Sequence, residues 1–87
     1  MKLTITSHAQ KQIRKFPKAF QIIVANKIRK LTVSPIAGEG KLKGYKNFFR
    51  VKIGVYRIVY AKFKKEIEVV LVGHRRDIYR ILERLLK

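Results

Sequence analysis

The sequence predicts an α+β domain: an N-terminal strand, a helical hairpin, an antiparallel three-stranded meander and a short C-terminal helix, in the order βααβββα. Residues 48–60 alternate polar and apolar chemistry along two arms that meet at Gly54, the pattern of a β-hairpin. Ahead of that hairpin, Phe20, Ile23, Val24, Ile28 and Leu31 recur at helical spacing. After it, Val69-Val70-Leu71-Val72 is apolar at every position, as a strand covered on both faces requires. Helices gathered early and strands late give a helical layer over one face of a mainly antiparallel sheet.

The chain begins with residues 2–6, where Leu3 and Ile5 alternate with polar neighbours and predict a first strand. Ser7 and Gln10 have capping-box spacing, so Ser7 is expected to cap a helix over residues 8–15 with Ala9, Ile13 and Phe16 facing inward. Pro17 ends it, because the residue before proline is pushed out of the helical region. Proline also starts helices well, and the second, longer helix is expected to run on to the neighbourhood of Ser34 and Pro35. Its outer face carries Lys18, Gln21, Lys27, Arg29 and Lys30, read as ordinary solvated charge. Residues 35–46, with Gly38, Gly40 and Gly44 and no apolar period, predict a loop. Beyond the hairpin, residues 62–65 predict a basic turn and residues 66–73 a strand. Asp77 is the expected N-cap of a last helix that buries Ile78, Ile81, Leu82 and Leu85 along one stripe.

The hairpin is where chemistry concentrates. Gly54-Val55 suits a type II′ turn, because glycine accepts a positive φ at the first position. That turn sets Ile53 opposite Tyr56, Lys52 opposite Arg57, Val51 opposite Ile58 and Arg50 opposite Val59. Phe49, Val51, Ile53, Tyr56, Ile58 and Tyr60 then form an apolar face, and Arg50, Lys52 and Arg57 converge on the other. Like charges placed directly opposite oppose folding, so their convergence points to an anionic ligand. A second basic cluster, Gly73-His74-Arg75-Arg76-Asp77-Ile78-Tyr79-Arg80, leaves the last strand and enters the last helix.

Composition agrees. Lys and Arg number 22 against five acidic residues, a formal charge of +17, which opposes compaction and calls for a polyanionic partner, with nucleic acid first. The 87 residues are expected to form one domain with one core. No apolar run approaches a membrane span, and no signal segment is apparent at the N-terminus, so the expected location is cytoplasmic. Without cysteine, and with His8 and His74 as the only imidazoles, neither a metal nor another cofactor is expected.

Leu42-Lys43-Gly44, Phe49-Arg50-Val51-Lys52, Gly54-Val55-Tyr56-Arg57-Ile58-Val59-Tyr60 and Val72-Gly73-His74-Arg75-Arg76-Asp77-Ile78-Tyr79 together resemble the RelE/ParE superfamily of toxins from toxin–antitoxin modules, across nearly the whole chain. The resemblance implies a RelE-like fold and a RelE-type toxin that cuts messenger RNA in the ribosomal A site and is held inactive by a cognate acidic antitoxin. It implies catalytic roles for Arg50, Lys52, Arg57, Arg75 and Tyr79. Lys41, Lys43, Lys46, His74, Arg76 and Arg80 are the candidate contacts to messenger and ribosomal RNA. The implied chemistry is attack of a 2′-hydroxyl on the adjacent phosphate, with Arg57 and Arg75 clamping the phosphate, Lys52 or His74 handling a proton and Tyr79 stacking on a base or orienting the hydroxyl. This sequence has a short hairpin turn and a short segment between Arg75 and Tyr79, and it carries arginine at position 50 where a lysine is common. Two other readings stay open: a ParE-like inhibitor of DNA gyrase, and a basic RNA-binding module without catalysis.

Overall fold

The computed structural model describes residues 1–33 and 36–87. Strand β1 (Lys2–Ile5) leads into helix α1 (Ser7–Arg14) and helix α2 (Lys18–Arg29), which ends in a 3-10 turn over Lys30–Thr32. Strands β2 (Gly40–Lys41), β3 (Phe48–Ile53), β4 (Tyr56–Phe63) and β5 (Glu66–His74) follow, and helix α3 (Ile78–Leu85) closes the chain. The strands form one sheet in the order β1-β5-β4-β3-β2, with β1 parallel to β5 and the other pairs antiparallel. This is the α+β arrangement the sequence predicts, with one strand more. The expected loop contributes β2, two residues that pair Gly40 with Arg50 and Lys41 with Phe49. So short a strand has no periodicity to read.

Local chemistry shifts several boundaries. Thr6, not Ser7, caps α1: its hydroxyl accepts from the Ala9 N–H at 3.2 Å. Ser7 becomes the first helical residue, and the Gln10 amide donates to the Ile5 carbonyl at 2.9 Å instead of reaching a cap N–H. Pro17 separates the helices as its locked φ demands, standing as the N-cap of α2. Ser34 and Pro35, where the second helix was expected to end, lie outside the described residues. Asp77 precedes α3 at the N-cap position but makes no capping bond; its carboxylate pairs with Arg80 at 3.4 Å.

Two apolar clusters occupy opposite faces of the sheet. The α1 and α2 layer buries Ala9, Val24 and Ile28 against Val51, Ile58, Tyr60, Val69 and Val72. Ile23, expected inward, is 52% exposed, because Val24 and Ile28 set the buried stripe of α2 about a hundred degrees away. On the other face α3 presses Ile78 and Leu82 onto Val59, Val70 and Leu71. Leu85, the last of its predicted stripe, runs past the sheet and is 39% exposed. An irregularity between Val59 and Tyr60 pairs Val59 with Leu71 and Tyr60 with Val69. Val70 is left over, and it joins Leu71 under α3 while Val69 and Val72 face the helical hairpin.

Candidate nucleic-acid interface

The hairpin register is the one the sequence predicts: Ile53 pairs with Tyr56, Lys52 with Arg57, Val51 with Ile58 and Arg50 with Val59. Gly54 has φ +64°, the left-handed value the turn needs. The register is locked from the apolar side. Tyr56 sits edge-on to Phe16, with ring centroids 5.0 Å apart, and Phe16 sits edge-on to Phe20 at 4.9 Å. With Tyr56 held in that cluster, alternation turns Arg57 to the opposite face.

On that face α3 covers only part of the sheet. Lys52 and Arg57 are directly opposite, and a two-residue turn makes them a non-hydrogen-bonded pair with Cα atoms about 4.5 Å apart. Arg57 in turn pairs with Gly73 on β5. The Arg57 Nη1 donates to the carbonyls of Gly54 at 3.1 Å and Tyr56 at 2.9 Å, which folds the guanidinium back on the turn and leaves its Nε and Nη2 edge for an anion. Arg75 joins this end of the sheet through its backbone, whose N–H donates to the Val55 carbonyl at 2.9 Å, while its side chain is exposed. Lys52, Arg57 and Arg75 thus gather at the hairpin tip. Among the described residues the ion pairs are Lys62 with Glu39 and Arg80 with Asp77, so the tip cations have no carboxylate partner.

The other predicted residues divide. Arg50 shares the face but leans outward: its guanidinium lies over Gly40 on β2, away from Lys52 and Arg57. Tyr79 is 44% exposed, its hydroxyl accepts from the Lys43 N–H at 3.3 Å, and its ring is 6.2 Å from that of Tyr45. The Lys43 loop therefore does belong beside Tyr79, which keeps its own O–H proton free to donate. Lys41 does not join the tip: directly opposite Phe49, it projects on the face of the helical hairpin. Lys46 lies in the turn that precedes β3, at the opposite end of that strand from Lys52. Arg76 is exposed on the approach to α3 and Arg80 in its first turn, with Asp77 beside Arg80.

His74 is paired with Tyr56 across the ladder, and its Nδ1 accepts from the Arg76 N–H at 3.2 Å. An accepting Nδ1 puts the ring proton on Nε2, which can donate a hydrogen bond. His74 is thus arranged as a hydrogen-bond donor through Nε2.

Sequence reasoning missed Glu39 and Tyr60. The Tyr60 ring belongs to the apolar face as expected, yet its fully buried hydroxyl donates to the Glu39 carboxylate, which also holds the Lys62 ammonium at 3.1 Å. Burial, reinforced by Glu39, pushes the Tyr60 phenol far above its ordinary value. A tyrosine opposite Phe49 gives no sequence signal of a carboxylate partner in a loop.

A protein-family model for the ParE toxin of the type II toxin–antitoxin system parDE matches residues 3–79. This chain belongs to the ParE toxin family. Solved structures agree on the toxin's fold. The intact RelBE toxin–antitoxin complex of E. coli is similar at 25% identity and a TM-score of 0.72, over 84% of this chain and 94% of that one. The RelBE2 complex of Mycobacterium tuberculosis matches at 20% identity and a TM-score of 0.72, over 85% and 96%. The ParDE system of P. aeruginosa matches at 11% identity and a TM-score of 0.65, over 85% and 95%. No curated protein matches the sequence. The toxin is therefore a RelE/ParE-like component of a type II toxin–antitoxin system, and among its described residues no helix is long and apolar enough to cross a membrane.

Proposed function

We propose that this toxin is a RelE-type endoribonuclease that cuts messenger RNA in the ribosomal A site, acts in the cytoplasm as one 87-residue domain, and is silenced by a cognate acidic antitoxin. One observation carries the reading: Lys52 and Arg57 are directly opposed on one sheet face, with Arg75 tied to the same turn and, among the described residues, no carboxylate paired with them. An arrangement that opposes folding yet presents several N–H donors to one point suits a phosphate that gains charge in a transition state.

The reaction is transesterification. The RNA 2′-oxygen forms a bond to the adjacent phosphorus, the bond to the 5′-oxygen of the next nucleotide breaks, and the products are a 2′,3′-cyclic phosphate and a free 5′-hydroxyl. The proton leaves the 2′-oxygen and another reaches the leaving 5′-oxygen. Arg57, through its free Nε and Nη2 edge, and Arg75 clamp the phosphate. Lys52 takes the 2′-hydroxyl proton or protonates the leaving 5′-oxygen, water completes the other transfer, and the His74 Nε2–H donates a hydrogen bond to a phosphate oxygen. Tyr79, its hydroxyl polarised by the Lys43 N–H, orients the hydroxyl or stacks on a base. Lys43, Arg76 and Arg80 contact RNA nearby, while Lys41 and Lys46 would reach RNA only outside this cluster.

Primer extension on a defined message in a purified translation system tests the reading, with wild type, Arg57→Ala and Arg75→Ala compared. Cuts inside A-site codons that require ribosomes and are lost in both variants are expected. A second reading, inhibition of DNA gyrase, has the family model's own description in its favour. Intact message together with blocked DNA supercoiling by purified gyrase would establish it and remove the catalytic roles. RNA binding with neither activity would leave a basic binding module.

A further inference from the structure

Among the chain's glycines, Gly40 alone has a charged group in the place of its missing side chain. A Cβ built there would fall 2.6 Å from the Arg50 Nη1 and 2.9 Å from its Cζ, inside any allowed contact. Gly40 does not have the positive φ that demands glycine, as Gly38, Gly44 and Gly54 do. Its smallness serves space, not backbone conformation. The pairing explains the contact: Gly40 and Arg50 are directly opposite on the β2–β3 ladder, so their side-chain positions adjoin on the cationic face. Next in sequence, Glu39 turns to the other face, where Tyr60 and Lys62 hold its carboxylate. That grip anchors β2 and keeps the neighbouring carboxylate away from Arg50.

We propose that Gly40 is a positioning residue that seats the Arg50 guanidinium over β2, where Arg50 engages a second phosphate of the same RNA strand. The seat lies two residues down β3 from Lys52 and one strand outward, roughly 10 Å from the Lys52–Arg57 pair. That is farther than the oxygens of one phosphate can span. The site then takes a strand with consecutive phosphates, and Arg50 fixes its register while Arg57 and Arg75 hold the scissile group. This inference rests on the RNA reading and says how the strand lies.

Two measurements test it. The first follows the Arg50 Nε–Hε signal by NMR, assigned with Arg50→Lys: a dispersed, ordered signal in wild type that collapses to the free-arginine position in Gly40→Ala is expected. An averaged signal in wild type overturns the seat. The displaced group is the flexible end of a side chain, so Gly40→Ala is expected to fold as wild type, and Gly40→Ser serves as the second variant. The second measures affinity for uncleavable oligoribonucleotides, 2′-deoxy at the scissile position, carrying one phosphate or three. Arg50→Ala and Gly40→Ala should each weaken the three-phosphate ligand roughly ten- to a hundredfold, leave the one-phosphate ligand unchanged, and have no further effect when combined. Additive losses, or equal losses for both ligands, overturn the positioning role. If wild type binds neither ligand and also leaves message intact in the translation system, the RNA reading fails, while the NMR signal still decides whether Gly40 seats Arg50.

Discussion

Replacing Glu39 by alanine removes the acceptor of a hydroxyl that has no other partner among the described residues. Tyr60 is completely buried, and its O–H donates to the Glu39 carboxylate. An unpaired buried donor costs about 1–3 kcal/mol. The second contact, Lys62 to Glu39 at 3.1 Å, joins side chains 34% and 21% exposed, so solvent screening limits it to about 0–1 kcal/mol. Glu39→Ala is therefore expected to cost about 2 kcal/mol, which in a domain of this size lowers the melting temperature by roughly 8–16 °C. Glu39→Gln keeps an oxygen acceptor for the Tyr60 hydroxyl and should lose much less. Removing both partners leaves nothing unpaired, so Glu39→Ala/Tyr60→Phe should melt above Glu39→Ala even though it carries one more substitution. Thermal and urea unfolding followed by circular dichroism read wild type, Glu39→Ala, Glu39→Gln, Tyr60→Phe and the double variant. If the double variant melts below Glu39→Ala by the amount that Tyr60→Phe alone costs, the two side chains are not coupled and the assigned role of Glu39 is wrong.

Three further outcomes follow from the same geometry. Burial and then Glu39 raise the folded Tyr60 phenol above its ordinary 10.0, so above about pH 10 the unfolded chain releases a proton that the folded chain keeps. That contribution to stability is complete below pH 10 and shrinks as pH rises, by up to about 1.4 kcal/mol per pH unit; a wild-type curve parallel to that of Tyr60→Phe in alkaline urea titrations would refute it. Lys52→Thr relieves a cross-strand like-charge pair and places a β-branched residue on a strand. Its melting temperature should rise by roughly 1–8 °C at low salt, with a smaller gain at 1 M salt, and RNA cleavage should fall; a variant less stable at both salts sinks the charge argument. Gly54→Ala forces a side chain into the left-handed region at φ +64° and should cost about 1–2 kcal/mol in chemical denaturation, whereas an unchanged midpoint would show that the turn tolerates any residue.

Much of this toxin was legible in its residues because the decisive signals are local. The alternation on either side of Gly54 gave the hairpin register pair by pair, and with it the confrontation of Lys52 with Arg57. The apolar run at Val69 to Val72 identified the covered strand, since the period-two rule fails only where both faces are buried. What failed was competition between near-equal local options. Thr6 and Ser7 both cap well, and the tie of the Thr6 N–H to the Val69 carbonyl on β5 holds Thr6 outside the helix as its cap. Ile23 and Val24 both suit a helix interior, and the packing of α2 on the sheet selects Val24.

The sequence by itself thus determined the strand and helix order, the chemistry of the two hairpin faces and the excess of unpaired cations, because backbone periodicity and turn geometry act over a few residues. Only the tertiary structure decided where those cations end up. It tied Arg75 to the hairpin turn, sent Lys41 to the opposite face, gave Tyr79 to the Lys43 loop and laid Arg50 over Gly40. It also placed Glu39 under Tyr60, a partnership between a loop and a strand that are distant in the chain. Such contacts depend on which segments share a sheet edge, and no local pattern of residues encodes that.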